Sequence, residues 1–529
     1  MQQAGTPDGD ASWQPRANPW LIAVVVTTAA FMEILDTTIV NVSLPHIAGS
    51  VSASYDDATW ALTSYLVANG IVLPISGFLG RLIGRKRYFL ICIAMFTVSS
   101  FLCGTSTSLG QLIVFRLMQG FFGGGLQPNQ QSIILDTFPP ALRGKAFGVV
   151  AIAVIFAPII GPTLGGYITD NFSWRWIFFI NVPVGVFAFF AVTALVEDPP
   201  WVLRTRARLI DFDYIGLGLI ALGLGALQIM LDRGEDDDWF GSPLIVVCAV
   251  LAAVGIVGAI WWLLTAKKPI VNLRVFQNRN FAVGCLMISA LGAILYSGGV
   301  LIPQLAQQRL GYDATLAGLV LSPGGAVILV LIPFIGRLLP IIQTRYLIGF
   351  GFLALGCAYS FAHGVTPDAT FTRLALMRAS QTLGLAFLFV PTSTISYSSM
   401  PRALNADASS LYVMLRNVSG SIGISLATAM ITQRTQTRQA YLSENLNPFN
   451  PAFNDYLART QQALRGMGRA ASDVGGQAMG IALQTLNQQA AILAYRDVFA
   501  YCAIGAFCIA PFIFLFEPRT SKGPSGGGH

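Results

Sequence analysis

Two acidic residues and one arginine stand inside long apolar runs of this sequence, where an ionised side chain is costly. Glu33 and Asp36 belong to the run 19–42, and Arg116 lies five residues into a run that begins at 111. An unpaired charge in a bilayer costs at least about 3 kcal/mol, so residues of this kind are functional candidates by default. Three positions apart on a helix, the two carboxylates are separated by about 60° around its axis.

The chemistry that this arrangement favours is proton transfer. Two carboxylates so close in a low dielectric repel each other, which favours uptake of a proton, as a proton carrier requires. Thr37 and Asn41 continue the same polar face, so we expect it to point into the protein. We therefore predict that Asp36 and Glu33 carry protons and that Arg116 tunes them electrostatically. Alternatively, Asp36 binds neighbouring helix ends and Glu33 faces water. Arg116 would then snorkel to the outer interface or bond backbone carbonyls.

The composition shows what surrounds these charges. Only 11% of the 529 residues are charged and 54% are hydrophobic, whereas globular chains have roughly 25% charged residues. Lipid must cover the excess apolar surface, and about 20 apolar residues cross a bilayer as a helix. Fourteen such spans can be assigned. They are 19–42, 59–80, 88–107, 111–135, 146–168, 177–196, 214–231, 243–265, 281–302, 315–337, 345–362, 372–396, 411–432 and 497–516.

The basic residues orient these spans, because most of the 32 Lys and Arg residues fall in alternate loops. The positive-inside rule then places both termini in the cytoplasm. The predicted segments are a cytoplasmic tail 1–18, a six-helix half 19–196, a segment 197–280 with two additional helices between cytoplasmic linkers, a six-helix half 281–516 that contains a long periplasmic segment 433–496, and a disordered cytoplasmic tail 517–529.

Several functional classes are excluded. The seven Cys are scattered singly and one of the three His is the last residue, which argues against a zinc site or a disulfide framework. The sequence contains no HExxH helix, GxSxG elbow or phosphate loop with Lys. We therefore expect no metal, no cofactor, no enzymatic activity and no nucleic-acid partner.

Three motifs combine small residues with charges. Gly77 to Arg87 ends the second span with a basic cluster, and Arg116-Leu-Met-Gln119-Gly120 lies in the fourth. The fifth span contains Gly161-Pro162-Thr-Leu-Gly165-Gly166. Small residues four apart let a neighbouring helix approach closely, and Pro162 adds a bend.

In this order, the three motifs closely resemble motifs A, B and C of the major facilitator superfamily, where motif C marks antiporters. Leu35 to Pro45, Trp174 to Gly185 and Asp211 to Gly216 also resemble the fourteen-helix drug/proton antiporters of the EmrB/QacA type, closest to the EmrB branch. One departure is Arg81, where motif A usually has Asp. It removes the acidic member of the usual cytoplasmic charge relay.

The resemblance implies an all-α major facilitator fold with two six-helix halves and an additional central pair. It implies a multi-pass protein of the bacterial inner membrane that exports hydrophobic or amphiphilic toxic compounds, driven by the proton gradient. Export of one endogenous metabolite, lipid or siderophore is an alternative, and a non-transporting sensor is another.

Residue roles follow from the same resemblance. The conformational candidates are Gly77, Arg81, Gly84, Arg85, Gly161, Pro162, Gly165 and Gly166. A pocket for amphiphiles should be apolar with few fixed hydrogen bonds. The substrate candidates are Tyr65, Asn69, Phe121, Gln127, Phe156, Tyr296, Gln304, Phe387, Tyr412 and Asn417. Arg378 and Arg416 could bind an anionic substrate or pair with Asp407.

The outer segment 433–496 suggests a partner. Its Ala, Gln, Leu and Arg content favours an exposed, partly helical structure. EmrB-like pumps work with a periplasmic adaptor and an outer-membrane channel, so this segment could dock an adaptor. Alternatively, it only caps the outer vestibule.

Overall fold

The computed structural model describes residues 13–204, 212–467 and 471–517, and almost all of them are helical. The predicted tails up to 12 and from 518, and the linker residues 205–211, lie outside the described residues. The helices are α1 Pro19–Ser50, α2 Tyr55–Ile83, α3 Arg85–Thr105, α4 Leu109–Gly123, α5 Leu126–Thr137, α6 Pro140–Asn171, α7 Trp176–Phe179, α8 Asn181–Leu195, α9 Pro200–Arg204, α10 Tyr214–Arg233, α11 Pro243–Thr265, α12 Arg279–Leu310, α13 Ala314–Leu319, α14 Ser322–Leu338, α15 Thr344–His363, α16 Phe371–Ser396, α17 Asn405–Ser443, α18 Pro451–Gly466 and α19 Ala471–Ile509.

Twelve helical stretches in the described part of the chain are long and apolar enough to cross a membrane. The two other predicted spans are helical as well. The span 111–135 consists of α4 and α5, which are separated by a turn at Gly124 and Gly125. A side chain at Gly125 would lie 2.6 Å from the Tyr88 hydroxyl, so the close approach of α3 requires glycine there. The span 411–432 lies within α17, whose serines, asparagines and arginines make it more polar.

The additional pair α10 and α11 packs backbone to backbone. A methyl group on Gly223 would lie 2.8 Å from the backbone carbon of Gly255. The pair touches the first half mainly through α2. Other parts of the protein cover only a minor share of the residues in these two helices, as expected of helices that face lipid on most sides.

The two halves meet along α2, α6, α14 and α17. At the predicted cytoplasmic end of α2, a side chain on Gly77 would lie 2.9 Å from the Ala406 carbonyl oxygen. Ser76 Oγ lies 2.9 Å from Ser410 Oγ in the same contact. Small residues therefore bring α2 and α17 together where the halves close.

The predicted outer segment 433–496 is an extension of membrane helices. Helix α17 continues to Ser443, and α19 starts at Ala471 and runs into the last membrane span. The short helix α18 packs against α19. Arg438 and Asp497 join the two long helices by hydrogen bonds of 2.9 to 3.1 Å.

Candidate functional site

Asp36 accepts hydrogen bonds from three side chains in the interior of the first half. Arg116 Nη1 in α4 lies 2.6 Å from Oδ2, and the two side chains have 0% exposed surface. Gln119 Nε2 and Asn181 Nδ2 donate to Oδ1 at 2.9 and 2.8 Å. Helices α1, α4 and α8 thus share one fully buried ion pair.

Arg116 binds groups from four directions. Its Nε donates to the Ala61 carbonyl at 3.1 Å, and Nη1 also donates to Gln119 Oε1 at 2.8 Å. The guanidinium carbon lies 4.2 Å from the centre of the Tyr65 ring, within the range of a cation–π contact. Nη2 has no partner among the described residues. Because the side chain is buried, it does not snorkel, but its hydrogen bond to the Ala61 carbonyl agrees with the other part of that alternative.

Glu33 has a different set of partners. It is 2% exposed, so the alternative that it faces water is also wrong. Asn69 Nδ2 and the Tyr65 hydroxyl donate to Oε1 at 3.0 and 3.3 Å, and Gln127 Nε2 donates to Oε2. Three neutral donors therefore hold this carboxylate.

Gln127 connects Glu33 to the second half. Arg416 Nη2, in α17, donates to Gln127 Oε1 and lies 3.2 Å from Asn417 Oδ1. The Tyr296 hydroxyl of α12 donates to the same Asn417 oxygen at 3.4 Å. The chain Glu33, Gln127, Arg416 thus crosses the junction between the halves.

The two carboxylates do not act as the repelling pair that their spacing suggested. Asp36 is neutralised by Arg116, whereas Glu33 binds neutral donors one turn away. Tyr65 lies between them, with its ring against the guanidinium and its hydroxyl on Glu33. The expected polar face also ends early, because Asn41 is exposed.

Five of the predicted substrate residues belong to this network. They are Tyr65, Asn69, Gln127, Tyr296 and Asn417.

The other five candidates lie elsewhere. Phe121 is 44% exposed and packs edge-on against its neighbour Phe122. Phe387 packs at 4.9 Å against Phe350, a half-exposed residue of α15. Phe121 therefore lies on the surface of the first half, whereas Phe387, which is 8% exposed, is buried against α15 in the second half.

Phe156 and Tyr412 lie at contacts between helices, and Gln304 is half-buried in α12. The edge of Phe156 fills the space next to Gly325, at the junction of α6 and α14. The Tyr412 hydroxyl lies 3.2 Å from Ser393 Oγ. Gln304 Oε1 is buried without a partner among the residues described.

Arg81 forms an ion pair with Asp407 across the two halves. The side chains are 16% and 5% exposed. The acid missing from motif A is therefore replaced by an acid on α17, and the contact lies beside the close approach at Gly77.

Arg85 forms a second buried pair, with Asp136 at the end of α5. Asn405 Nδ2 donates to the same carboxylate at 3.0 Å. Gly84 has a φ of 101°, which an L residue rarely adopts, and this conformation turns the chain from α2 directly into α3. The turn places Arg81 and Arg85 at the same junction.

The predicted motif in α6 packs against α1. The Thr38 side chain fills the space beside Gly161, and a methyl group on Gly165 would lie 3.0 Å from the Ile39 carbonyl oxygen. Pro162 lies inside the helix, and Gly166 is buried. The small residues therefore face the helix that carries both carboxylates.

Sequence reasoning missed two residues of the site and two of its pairings. Gln119 and Asn181 were visible within quoted motifs, as polar residues in apolar spans, but were not singled out. Arg416 and Asp407 were noticed without their partners Gln127 and Arg81.

The arrangement places two carboxylates, the kind of group that exchanges protons, in the interior of the first half, and Gln127 links one of them to the junction of the halves. No group of three or more His, Cys, Asp or Glu in the described ranges could hold a metal ion.

Comparison with known proteins assigns the family. Residues 26–424 match the model of the Major Facilitator Superfamily. The solved proton:xylose symporter XylE has a TM-score of 0.57 at 14% identity, and the match covers 94% of this chain and 99% of that structure.

Curated relatives are more similar. The multidrug export protein EmrB of Escherichia coli K12 is 40% identical over 96% of this chain and 97% of its own. The fatty acid resistance protein FarB of Neisseria gonorrhoeae is 37% identical over 95% and 96%. This chain is therefore a transporter of the major facilitator superfamily and belongs to its EmrB-type family.

Proposed function

We propose that this protein exports hydrophobic or amphiphilic toxic compounds from the bacterial cell in exchange for protons, by alternating access. The observation that supports this function best is the buried chain Glu33, Gln127, Arg416 across the halves. The names of the relatives, multidrug export and fatty acid resistance, support export of foreign compounds. The protein is a multi-pass protein of the inner membrane.

The contacts suggest how protonation would act. A protonated Glu33 carries no charge and holds Gln127 less strongly, because hydrogen bonds to ionised groups are about twice as strong as neutral ones. The hydrogen bond that Arg416 donates to Gln127 then weakens as well, and this bond is a contact between the two halves. Protonation of Asp36 would similarly release Arg116 from its only carboxylate among the described side chains.

Substrate-induced proton release in everted membrane vesicles tests the proposal. A chemically varied panel of amphiphiles is compared between wild type and Asp36→Asn, with exposed Asp170→Asn as the matched control. We expect proton release with several unrelated compounds, its loss in Asp36→Asn, and its retention in the control.

A response to a single metabolite would instead favour the endogenous exporter. Absence of any response in a folded wild-type protein would contradict antiport.

We further propose that the outer segment 433–496 docks a periplasmic adaptor, which leads to an outer-membrane channel. Phe449 is 94% exposed and Tyr441 is 64% exposed, and such rings are costly in water. Beside them, a cavity of about 280 Å³ lies among the end of α17, the loop that follows it, α18 and α19, and it is lined mainly by apolar atoms. A segment that only capped the vestibule would not need an aromatic side chain such as Phe449 that points outward into water.

Co-purification with a candidate adaptor tests docking. Phe449→Asp should abolish co-purification without affecting proton-driven transport in vesicles. Phe240→Asp, in another outer loop and 68% exposed, is the control. Equal adaptor recovery from both variants would contradict the proposal.

A further inference from the structure

The second half repeats part of the Asp36 cluster. Arg378 and Gln381 in α16 have the same spacing as Arg116 and Gln119 in α4. Asp36 precedes Arg116 by 80 residues, and the residue that precedes Arg378 by the same interval is Gly298, in α12.

The starts of the helices agree with this register. Arg378 follows Arg116 by 262 residues. Pro19 and Leu109 begin α1 and α4, and the residues that follow them by the same 262 residues, Phe281 and Phe371, lie in the first turns of α12 and α16. The second half therefore keeps the arginine and the glutamine but lacks the carboxylate.

Arg378 is buried without a counter-ion among the residues that the structure describes. It is 1% exposed, and its Nε and Nη2 have no hydrogen-bond partner among the described residues. Gln381 is also 1% exposed, and neither atom of its amide has a partner in this part of the chain. Asp407, a partner considered from sequence, binds Arg81 instead.

The position of the missing carboxylate is lined by polar atoms. A methyl group on Gly298 would lie 2.5 Å from the Tyr359 hydroxyl, 3.4 Å from Gln381 Oε1 and 3.6 Å from Arg378 Nη1. The Tyr359 hydroxyl donates its proton to the Ile294 carbonyl at 3.2 Å. Tyr359 thus occupies part of the space but brings no negative charge.

A buried guanidinium without a neutralising partner is strongly destabilising. In the first half, Asp36 neutralises the equivalent arginine, Arg116. Among the described residues, no acid forms an ion pair with Arg378. We propose that the second half binds a small monovalent anion at Arg378 and Gln381, a halide or the carboxylate of a small solute. The anion accepts hydrogen bonds from the Arg378 guanidinium and from the Gln381 amide nitrogen, which faces Gly298 in place of the oxygen after a 180° rotation of the unpartnered amide.

The bound anion supplies the charge that Asp36 supplies in the first half. Unlike Asp36, it can dissociate, so the stability of the second half depends on the anion concentration. Binding to the folded state alone raises the unfolding temperature progressively with ligand concentration.

Direct binding tests the proposal on the purified full chain in detergent. Equilibrium dialysis with radiolabelled chloride should give one saturable site per chain. Bromide should compete with chloride for this site. Competition by acetate distinguishes a site for the carboxylate of a small solute from a site for a halide. Displacement by acetate identifies a carboxylate site, and displacement by halides alone identifies a halide site. If neither chloride nor acetate binds saturably to the wild type, the proposal is overturned.

Thermal unfolding with chloride, compared with gluconate at constant ionic strength, provides the second readout. The wild-type midpoint should rise and saturate with chloride, and Arg378→Gln should not respond. Arg459→Gln, an exposed arginine of α18, should respond like the wild type.

A rescue variant keeps the proposal testable if Arg378→Gln does not fold. Gly298→Asp combined with Tyr359→Phe places a carboxylate at the repeated position and removes the hydroxyl that would obstruct it. This double variant should be stable in gluconate and should bind no chloride. Chloride binding equal to the wild type in the double variant would overturn the assignment to this site.

Discussion

The strongest energetic prediction concerns the ion pair between Asp36 and Arg116. Both side chains have 0% exposure, and Asp36 accepts three hydrogen bonds. Breaking a buried pair by changing one partner costs about 3–5 kcal/mol, because the other charge stays buried. An asparagine has one acceptor oxygen for three donors. We therefore expect Asp36→Asn to lower the free energy of unfolding by about 3–5 kcal/mol.

The double variant separates the pair from its surroundings. Arg116→Gln should also cost about 3–5 kcal/mol, since it leaves the carboxylate buried with only Gln119 and Asn181. Combining it with Asp36→Asn removes both charges, so the double variant should be less destabilised than the sum. We expect a coupling free energy of at least about 2 kcal/mol.

Equilibrium unfolding in mixed micelles gives the four free energies of this cycle. The control cycle uses Arg438→Gln and Asp497→Asn, a pair whose side chains are 40% and 16% exposed. Partly exposed pairs contribute about 0.2–1 kcal/mol, so the control coupling should be much smaller. A coupling below about 0.5 kcal/mol for Asp36 and Arg116 would refute the reasoning.

Three further predictions concern coupling, closure and packing. Glu33→Gln should uncouple transport in vesicles from the proton gradient, because its amide cannot exchange a proton; unchanged coupling contradicts this. Arg81→Gln should increase hydrogen–deuterium exchange at the ends of α2 and α17, and the swap Arg81→Asp with Asp407→Arg should reverse it. Gly120→Ala should cost about 1–3 kcal/mol in unfolding free energy, because its methyl would collide with the Tyr65 carbonyl oxygen of α2 and lie 2.9 Å from the Tyr65 Cα. Gly110→Ala, with nothing within 4 Å, should be neutral or stabilising by up to about 1 kcal/mol.

The number and order of the helices could largely be predicted from apolar runs, because each bilayer crossing needs about 20 apolar residues. The residues at which the helices begin and end could not be predicted in this way. The span predicted at 497–516 belongs to a helix that starts at Ala471. Polar residues outside the membrane continue the same hydrogen-bonded helix, and hydropathy records only its apolar part. Conversely, the break between α4 and α5 depends on Tyr88 of another helix.

The sequence by itself determined which charges enter the membrane and which face of a helix carries them. Helical periodicity places Glu33 and Asp36 near one face wherever the helix packs. Only the tertiary structure decided that Arg116 neutralises Asp36 and that Gln127 connects Glu33 to Arg416. These partners come from helices far apart in the chain. Their pairing depends on how side chains of different helices interlock in three dimensions, and the pattern within a single helix holds no information about that.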